Sequence, residues 1–295
     1  VERLVLLGPV RLSPAAVQTL LAARIPVVLA GTRGRYWGVL SAGCDDAEML
    51  VAQVRRYQDA TYRLGVARAV VGAKVEHQRR LLTRHGRNHP NPLLTEAAGK
   101  LAELRATLPT RASVAEVMGV EGRASGLYFS AFGACLRQEG LAFEGRNRRP
   151  PRDPVNAALS LGYMLVLAEM TTILIGEGLH PGIGFLHEVD RGRPALALDL
   201  LELARQPVVD RLTLSLFNRR VLSPADFTAR PDGGVQLRPE SLPRYLEFYE
   251  RTMSTPFRLG PETAGNFRDW LRREAAGLRR ALAEGAAWEP LVLEL

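Results

Sequence analysis

Of the five histidines in the chain, His187 stands in the setting best suited to chemistry. It lies in HPGIGFLHEVDRGRP, where Gly182 and Gly184 suit an irregular backbone and predict a loop rather than a helix. Eight residues later ALALDLLELARQPVVD begins a helix on which Asp199 and Glu202 are three apart, so both carboxylates project from one face. Their neighbours Leu198, Leu200, Leu201 and Leu203 are apolar, and acids set among them are costly to bury unless a cation or a metal accompanies them. A third acid, Glu121, occurs upstream in MGVEGRASGLYFSAFGACL and is expected at the start of a helix. The small residues Gly122, Ala124, Ser125 and Gly126 leave room for another backbone to come close, and Tyr128, seven positions on, shares the face of Glu121. One histidine with two or three carboxylates suits a divalent cation with open coordination positions. Oxygen-rich ligation favours Mg2+, and the imidazole widens tolerance to Mn2+. Such an ion can activate an oxygen nucleophile and offset charge on a phosphodiester. Spacing alone also fits plainer roles. A histidine before a helix is often a structural hydrogen-bonding residue, and a glutamate at a helix start favours the dipole. The Asp199/Glu202 pair could simply meet Arg191, Arg193 or Arg205.

The elements that must hold these residues fall into two groups. RLVLLGPV, IPVVLAG and RYWGVL read as short strands. Between the first two, SPAAVQTLLAA reads as a helix capped by Ser13 with Pro14 at its first position. From about Asp45 apolar residues recur at helical spacing for some forty residues, with Gly65 and Gly72 marking breaks or close packing, until GRNHPNP ends the run. Further helices are predicted at about 94–108, 111–118, 121–139, 154–177, 195–218, 242–253 and 260–284. ARPDGGVQLRPES is turn-rich and predicts a small hairpin. The fold class is therefore α+β: a small N-terminal β domain over 1–44, followed by a larger, mainly α-helical domain over 45–295 that carries the candidate chemistry.

The chain has 295 residues and a net charge of +8, a balance that favours a polyanionic partner, although a high-arginine composition alone would give the same number. The arginines cluster in RNRRPPRDP, with Arg146, Arg148, Arg149 and Arg152, and again along a late helix with Arg268, Arg272, Arg273, Arg279 and Arg280. Like charges on a helix can be a solvated face, and they are also what phosphate neutralisation needs. No run of eighteen or more apolar residues predicts a membrane span, and VERLVLLGPV lacks the form of a signal peptide. Two cysteines, Cys44 and Cys135, cannot build a disulfide framework or a four-thiolate site, which fits a reduced, cytoplasmic setting.

Taken in order, these segments resemble the CRISPR-associated integrase and endonuclease family, the large catalytic subunit of the spacer-acquisition complex. LLGPVRLSPAAVQTLLAARIPVVLAGTRGRYWGVL looks like its N-terminal β domain, and ARAVVGAKVEHQR its first long helix, with His77 where asparagine is common. EGRASGLYF carries its glutamate, RRPPRDPVNAALSLGY its central helix, GLHPGIGFLH its histidine and LALDLLELARQPVVD its acidic helix. The resemblance implies Mg2+ or Mn2+ on Glu121, His187 and Glu202, with Asp199 close by and Asn156 and Tyr163 near the site. It implies that a captured fragment's 3′-hydroxyl attacks a phosphodiester at the ends of a CRISPR repeat, with double-stranded DNA positioned by Arg146, Arg148, Arg149, Arg152, Arg191 and Arg193. Because a metal-bound imidazole must be neutral at the coordinating nitrogen, activity is expected to fall at acidic pH. The implied partners are a second copy of the chain, joined partly through the β domains, a small ferredoxin-like CRISPR-associated subunit, and a fused or associated iron–sulfur nuclease. The family usually has a first β-hairpin region before RLVLLG, so the β domain is expected to be incomplete at its start. Two other readings stay open: a stand-alone metal-dependent nuclease or resolvase on branched DNA, and a non-catalytic DNA-binding scaffold.

Overall fold

The computed structural model describes residues 4–31, 36–42, 46–147, 150–259 and 263–294. Three short strands form the N-terminal sheet: β1 (Leu4–Leu7), β2 (Val27–Ala30) and β3 (Tyr36–Leu40), in the order β1-β2-β3. The β1–β2 pair is parallel with Leu4 opposite Val27, and the crossover between them contains helix α1 (Pro14–Ala22). Ser13 caps α1 by accepting from the Ala16 amide at 3.1 Å, and Pro14 opens it, as predicted. The middle strand is the apolar one, with Val27, Val28 and Ala30 fully buried.

Helices dominate the rest. The long helical run divides into α2 (Ala47–Gln58) and α3 (Ala60–Asn88). The break falls at Asp59, not at Gly65 or Gly72, because the Asp59 carboxylate accepts from the amides of Thr61 and Tyr62 and starts a new helix. After α4 (Pro92–Ala106), the two helices expected over 111–139 are one, α5 (Val114–Phe132), capped by Ser13's counterpart Ser113. Glu121 therefore sits inside α5 and not at its start. Among the described residues no backbone comes close at Gly122 or Gly126, since a Cβ at either would meet nothing within 4 Å.

Asp153 caps α6 (Pro154–Gly176), the central helix, most of which is buried. It is long and apolar enough to cross a membrane, but 72% of its apolar window is covered by the rest of the protein. Next come α7 (Ala195–Ala204), one widened turn over Arg205–Asp210 and α8 (Arg211–Asn218), which together fill the predicted 195–218 segment. Pro207 lies within the widened turn; it has no amide to donate, and its ring is tolerated where the helix opens. The predicted hairpin is β4 (Phe227–Ala229) paired with β5 (Val235–Leu237). Helix α9 (Leu242–Ser254), a two-residue pair β6 (Phe257–Arg258) and β7 (Ala264–Gly265), and α10 (Phe267–Glu284) complete the order. An Asn266–Asp269 capping box starts α10 seven residues later than periodicity suggested. Helix α3 packs against α4, α5 and α7, and α6 against α7 and the widened turn. The candidate site lies where α3, α5 and α7 meet.

Candidate active site

Helix α7 carries two acids one turn apart, and each has its own task. Asp199, 1% exposed, accepts from the backbone amides of Phe185 (2.6 Å), Leu186 (2.9 Å) and His187 (2.9 Å). It also takes the His187 ring at Nδ1, 2.7 Å away. Three amides and a ring nitrogen satisfy a buried carboxylate that would otherwise be expensive to desolvate. The loop can come this close because residue 184 is glycine. A Cβ there would lie 2.8 Å from the Ala195 carbonyl carbon and 2.9 Å from Asp199 Oδ2. A carboxylate accepts only, so Nδ1–H donates to Asp199 and the lone pair of His187 stays on Nε2, where no described residue takes it.

Glu202, the second acid, turns to cations. The Lys74 ammonium on α3 lies 2.6 Å from Glu202 Oε2 and also contacts Glu121 Oε1 on α5. Arg205 Nε reaches Glu202 Oε2 at 2.7 Å, the pairing that spacing had left open. Ser125, one turn beyond Glu121, donates to the same Glu121 oxygen at 2.9 Å. Burial pushes the Glu202 carboxyl up, but the charges of Arg205 and Lys74 and the hydrogen bonds they donate outweigh it and hold Glu202 well below the usual carboxylate range. Two carboxylates from different helices thus share one buried ammonium.

The chain of contacts continues inward. The Arg205 guanidinium stands 4.3 Å from the Tyr163 ring centroid. The Tyr163 and Tyr128 hydroxyls both donate to Asp210, at 2.5 and 2.7 Å. Burial lifts Asp210 to about 6, against the hydrogen bonds of the two tyrosines and the charges of Arg205 and Arg146. Lys74 and Asp210 were not singled out in the sequence, and Arg205 only as one of three possible partners of the acidic pair. The available signal was a lysine on the buried stripe of α3 between Val70 and Gln78.

The remaining sequence candidates divide. Asn156 and Arg146 tie the preceding loop to α6: Asn156 Oδ1 accepts from Arg146 at 2.7 Å, and Arg146 also reaches Ser160 at 3.0 Å. Arg146 is thus engaged within the protein. Arg148 and Arg149 lie outside the described residues. Arg152, Arg191 and Arg193 are exposed and make no side-chain ion pair among the described residues. Of the late basic helix, Arg268 pairs with Glu169 and Glu250, and Arg279 with Asp46, so part of that charge is internal.

As the side chains stand, no three His, Cys, Asp or Glu groups among the described residues are gathered as a metal ion would need. Lys74 holds two of the three expected donors. The donor set nonetheless fits a hard divalent ion: two carboxylates already closed around one cation, and a histidine whose free nitrogen is fixed by a carboxylate behind it.

The sequence profile of the family described as CRISPR associated protein Cas1 matches residues 1–251. The chain is 40% identical over 253 residues to CRISPR-associated endonuclease Cas1 1 of Thermus thermophilus, covering 86% of this chain and 76% of that one. It is 35% identical over 263 residues to a CRISPR-associated exonuclease Cas4/endonuclease Cas1 fusion of Rhodospirillum rubrum, covering 86% of this chain and 44% of the fusion. Among solved structures, a CAS1 protein from Thermotoga maritima superposes with a TM-score of 0.82 at 26% identity, covering 96% of this chain and 86% of that one. A Cas6-RT-Cas1–Cas2 complex contains a chain with the same fold, at a TM-score of 0.84 and 24% identity, covering 99% of this chain and 32% of that one.

Proposed function

Because the chain belongs to the CRISPR-associated Cas1 family, we propose that it is a metal-dependent DNA integrase that inserts captured fragments into a CRISPR array. The observation that carries this reading is the Glu121–Lys74–Glu202 bridge, whose Glu202 lies one helical turn from the Asp199 that holds His187. Glu121, Glu202 and Nε2 of His187 would hold Mg2+ or Mn2+. When bound, such an ion supplies Lewis acidity toward a hydroxyl and a phosphodiester. The protein's own residues do the rest. Asp199 fixes the imidazole orientation and its tautomer. Arg205 and Lys74 keep Glu202 ionised in a setting that would otherwise favour its neutral form. The reaction is a transesterification: the 3′-oxygen of the fragment forms a bond to phosphorus as the bond to the repeat strand breaks, and no covalent enzyme intermediate is needed.

Partner assignments belong to the same reading. Trp37 on β3 is 55% exposed and Val51 on α2 58%, with Leu50 and Val54 also exposed, which supports a homodimer joined through this end of the chain. The Rhodospirillum relative's name supports a nuclease that is fused or associated in some systems, and the Cas1–Cas2 complex supports a small second subunit. Exposed Arg152, Arg191 and Arg193 would position the DNA backbone, in a cytoplasmic setting. Incubation of the protein with a short duplex and a repeat-containing plasmid, in Mn2+, tests the assignment. A strand joined to the repeat end is expected. Two free ends would mean a nuclease, and no change in either strand would mean a DNA-binding scaffold.

A further inference from the structure

A second concave site adjoins the widened turn that follows α7. A cavity of about 630 Å³ opens between the end of α3, α8, α9 and the start of α10, and Pro207 from the turn lines it. That volume falls within the range of roughly 300–1,000 Å³ usual for ligand pockets. Five arginines face it, Arg84, Arg211, Arg219, Arg251 and Arg258, against one described acid, Glu294. Among the described residues Arg84, Arg211, Arg219 and Arg251 make no side-chain hydrogen bond or ion pair. Partly buried Arg211 has its pKa lowered by that burial and then by the charge of Arg84. The adjacent His85 imidazole is pushed down to about 4 by burial and by Arg137, Arg84, His89 and Arg211. Four cations crowded in this way, with no side-chain ion pair among the described residues, repel one another, and an anionic ligand relieves that repulsion. Phe248 and Phe257 add apolar rings to the wall, which suits a nucleic-acid strand better than a bare anion. None of Glu121, His187, Asp199 and Glu202 lines the cavity.

We infer that this cavity is a second phosphate site, which grips the backbone of a DNA strand at a distance from the carboxylate–histidine centre and does no chemistry. The inference rests on the DNA-joining reading for its source of phosphate. The test is anisotropy of a labelled DNA duplex over a salt series, with wild type, the double variant Arg211→Gln/Arg251→Gln, and the charge-retaining Arg211→Lys/Arg251→Lys. Each phosphate contact contributes about 0.9 to the slope of log affinity against log salt, so the glutamine variant is expected to be shallower by about 1.8. The lysine variant is expected to keep the wild-type slope, and both should bind Mn2+ as wild type does. A glutamine variant with an unchanged melting temperature and an unchanged slope would overturn the inference. So would inorganic pyrophosphate that raises the melting temperature of wild type, but not of the glutamine variant, while DNA slopes stay equal; the ligand would then be a free polyphosphate. A wild-type protein that joins DNA, with variants of equal slope, removes the cavity alone. A wild-type protein that binds no DNA removes both readings.

Discussion

Lys74 is the residue on which the candidate site turns. Its ammonium is almost fully buried, with Glu121 on one side and Glu202 on the other. Replacing it by methionine keeps the volume and removes the charge. Two carboxylates then face each other, with Arg205 left to answer Glu202 alone, and breaking a buried pair in this way costs about 3 kcal/mol. A divalent ion at Glu121 and Glu202 must displace the ammonium, so Lys74→Met should bind Mn2+ more tightly. Thermal unfolding reads both effects: a lower midpoint without metal, and a larger Mn2+-induced rise than in wild type. An equal rise in the two proteins would separate Lys74 from the metal site. Asp210 gives a second test. Its folded-state pKa is about 6 against an ordinary 3.8, so the folded protein holds the extra proton between these values. The stability it contributes is fully present below about pH 4 and is lost as pH rises through 6. Urea unfolding from pH 4 to 7 should show Asp210→Asn gaining on wild type by on the order of 3 kcal/mol across that window. Parallel pH curves would contradict the assignment.

At the scale of elements, the loop before α7 matters most. Gly184 lets residues 185–187 press their amides onto Asp199. Gly184→Ala puts a methyl into the Ala195 backbone and should destabilise the protein by about 1–3 kcal/mol through overpacking. Because the same loop aims His187, Mn2+ affinity should fall as well, which isothermal titration would register; unchanged affinity would free His187 from the loop's control. This loop was legible in the sequence, as were the three strands, the Ser13–Pro14 start of α1 and the hairpin after Ala229, since turn residues and caps are local signals. The break at Asp59 was not, because glycines drew attention to Gly65 and Gly72 while the side chain that stops one helix and starts the next was an ordinary aspartate. The unity of α5 was missed for the converse reason: its internal glycines cost only about 1 kcal/mol each and packing absorbs it.

At the scale of the molecule, the acids and the histidine proposed for the site stand in legible sequence patterns, but the cation between Glu121 and Glu202 does not. Lys74 and Glu121 are 47 residues apart, and only the packing of α3 against α5 brings them together. Arg146, expected to contact DNA, hydrogen-bonds Asn156 and Ser160 at the start of α6, a local tie between that helix and the loop before it. The exposed apolar residues at the N-terminal end lead to a prediction on assembly. Trp37→Ser combined with Val51→Glu should convert a dimer to a monomer by sedimentation, and a variant that still sediments as a dimer would move the interface elsewhere. If Glu121, Glu202 and His187 form the centre that joins DNA strands, removing one carboxylate should stop joining without releasing DNA. The most direct measurement is joining of a labelled fragment to a repeat-containing plasmid by wild type and Glu121→Ala, alongside DNA affinity. The variant is expected to lose joined product while binding DNA with near wild-type affinity; joining at the wild-type rate would remove Glu121 from the joining centre.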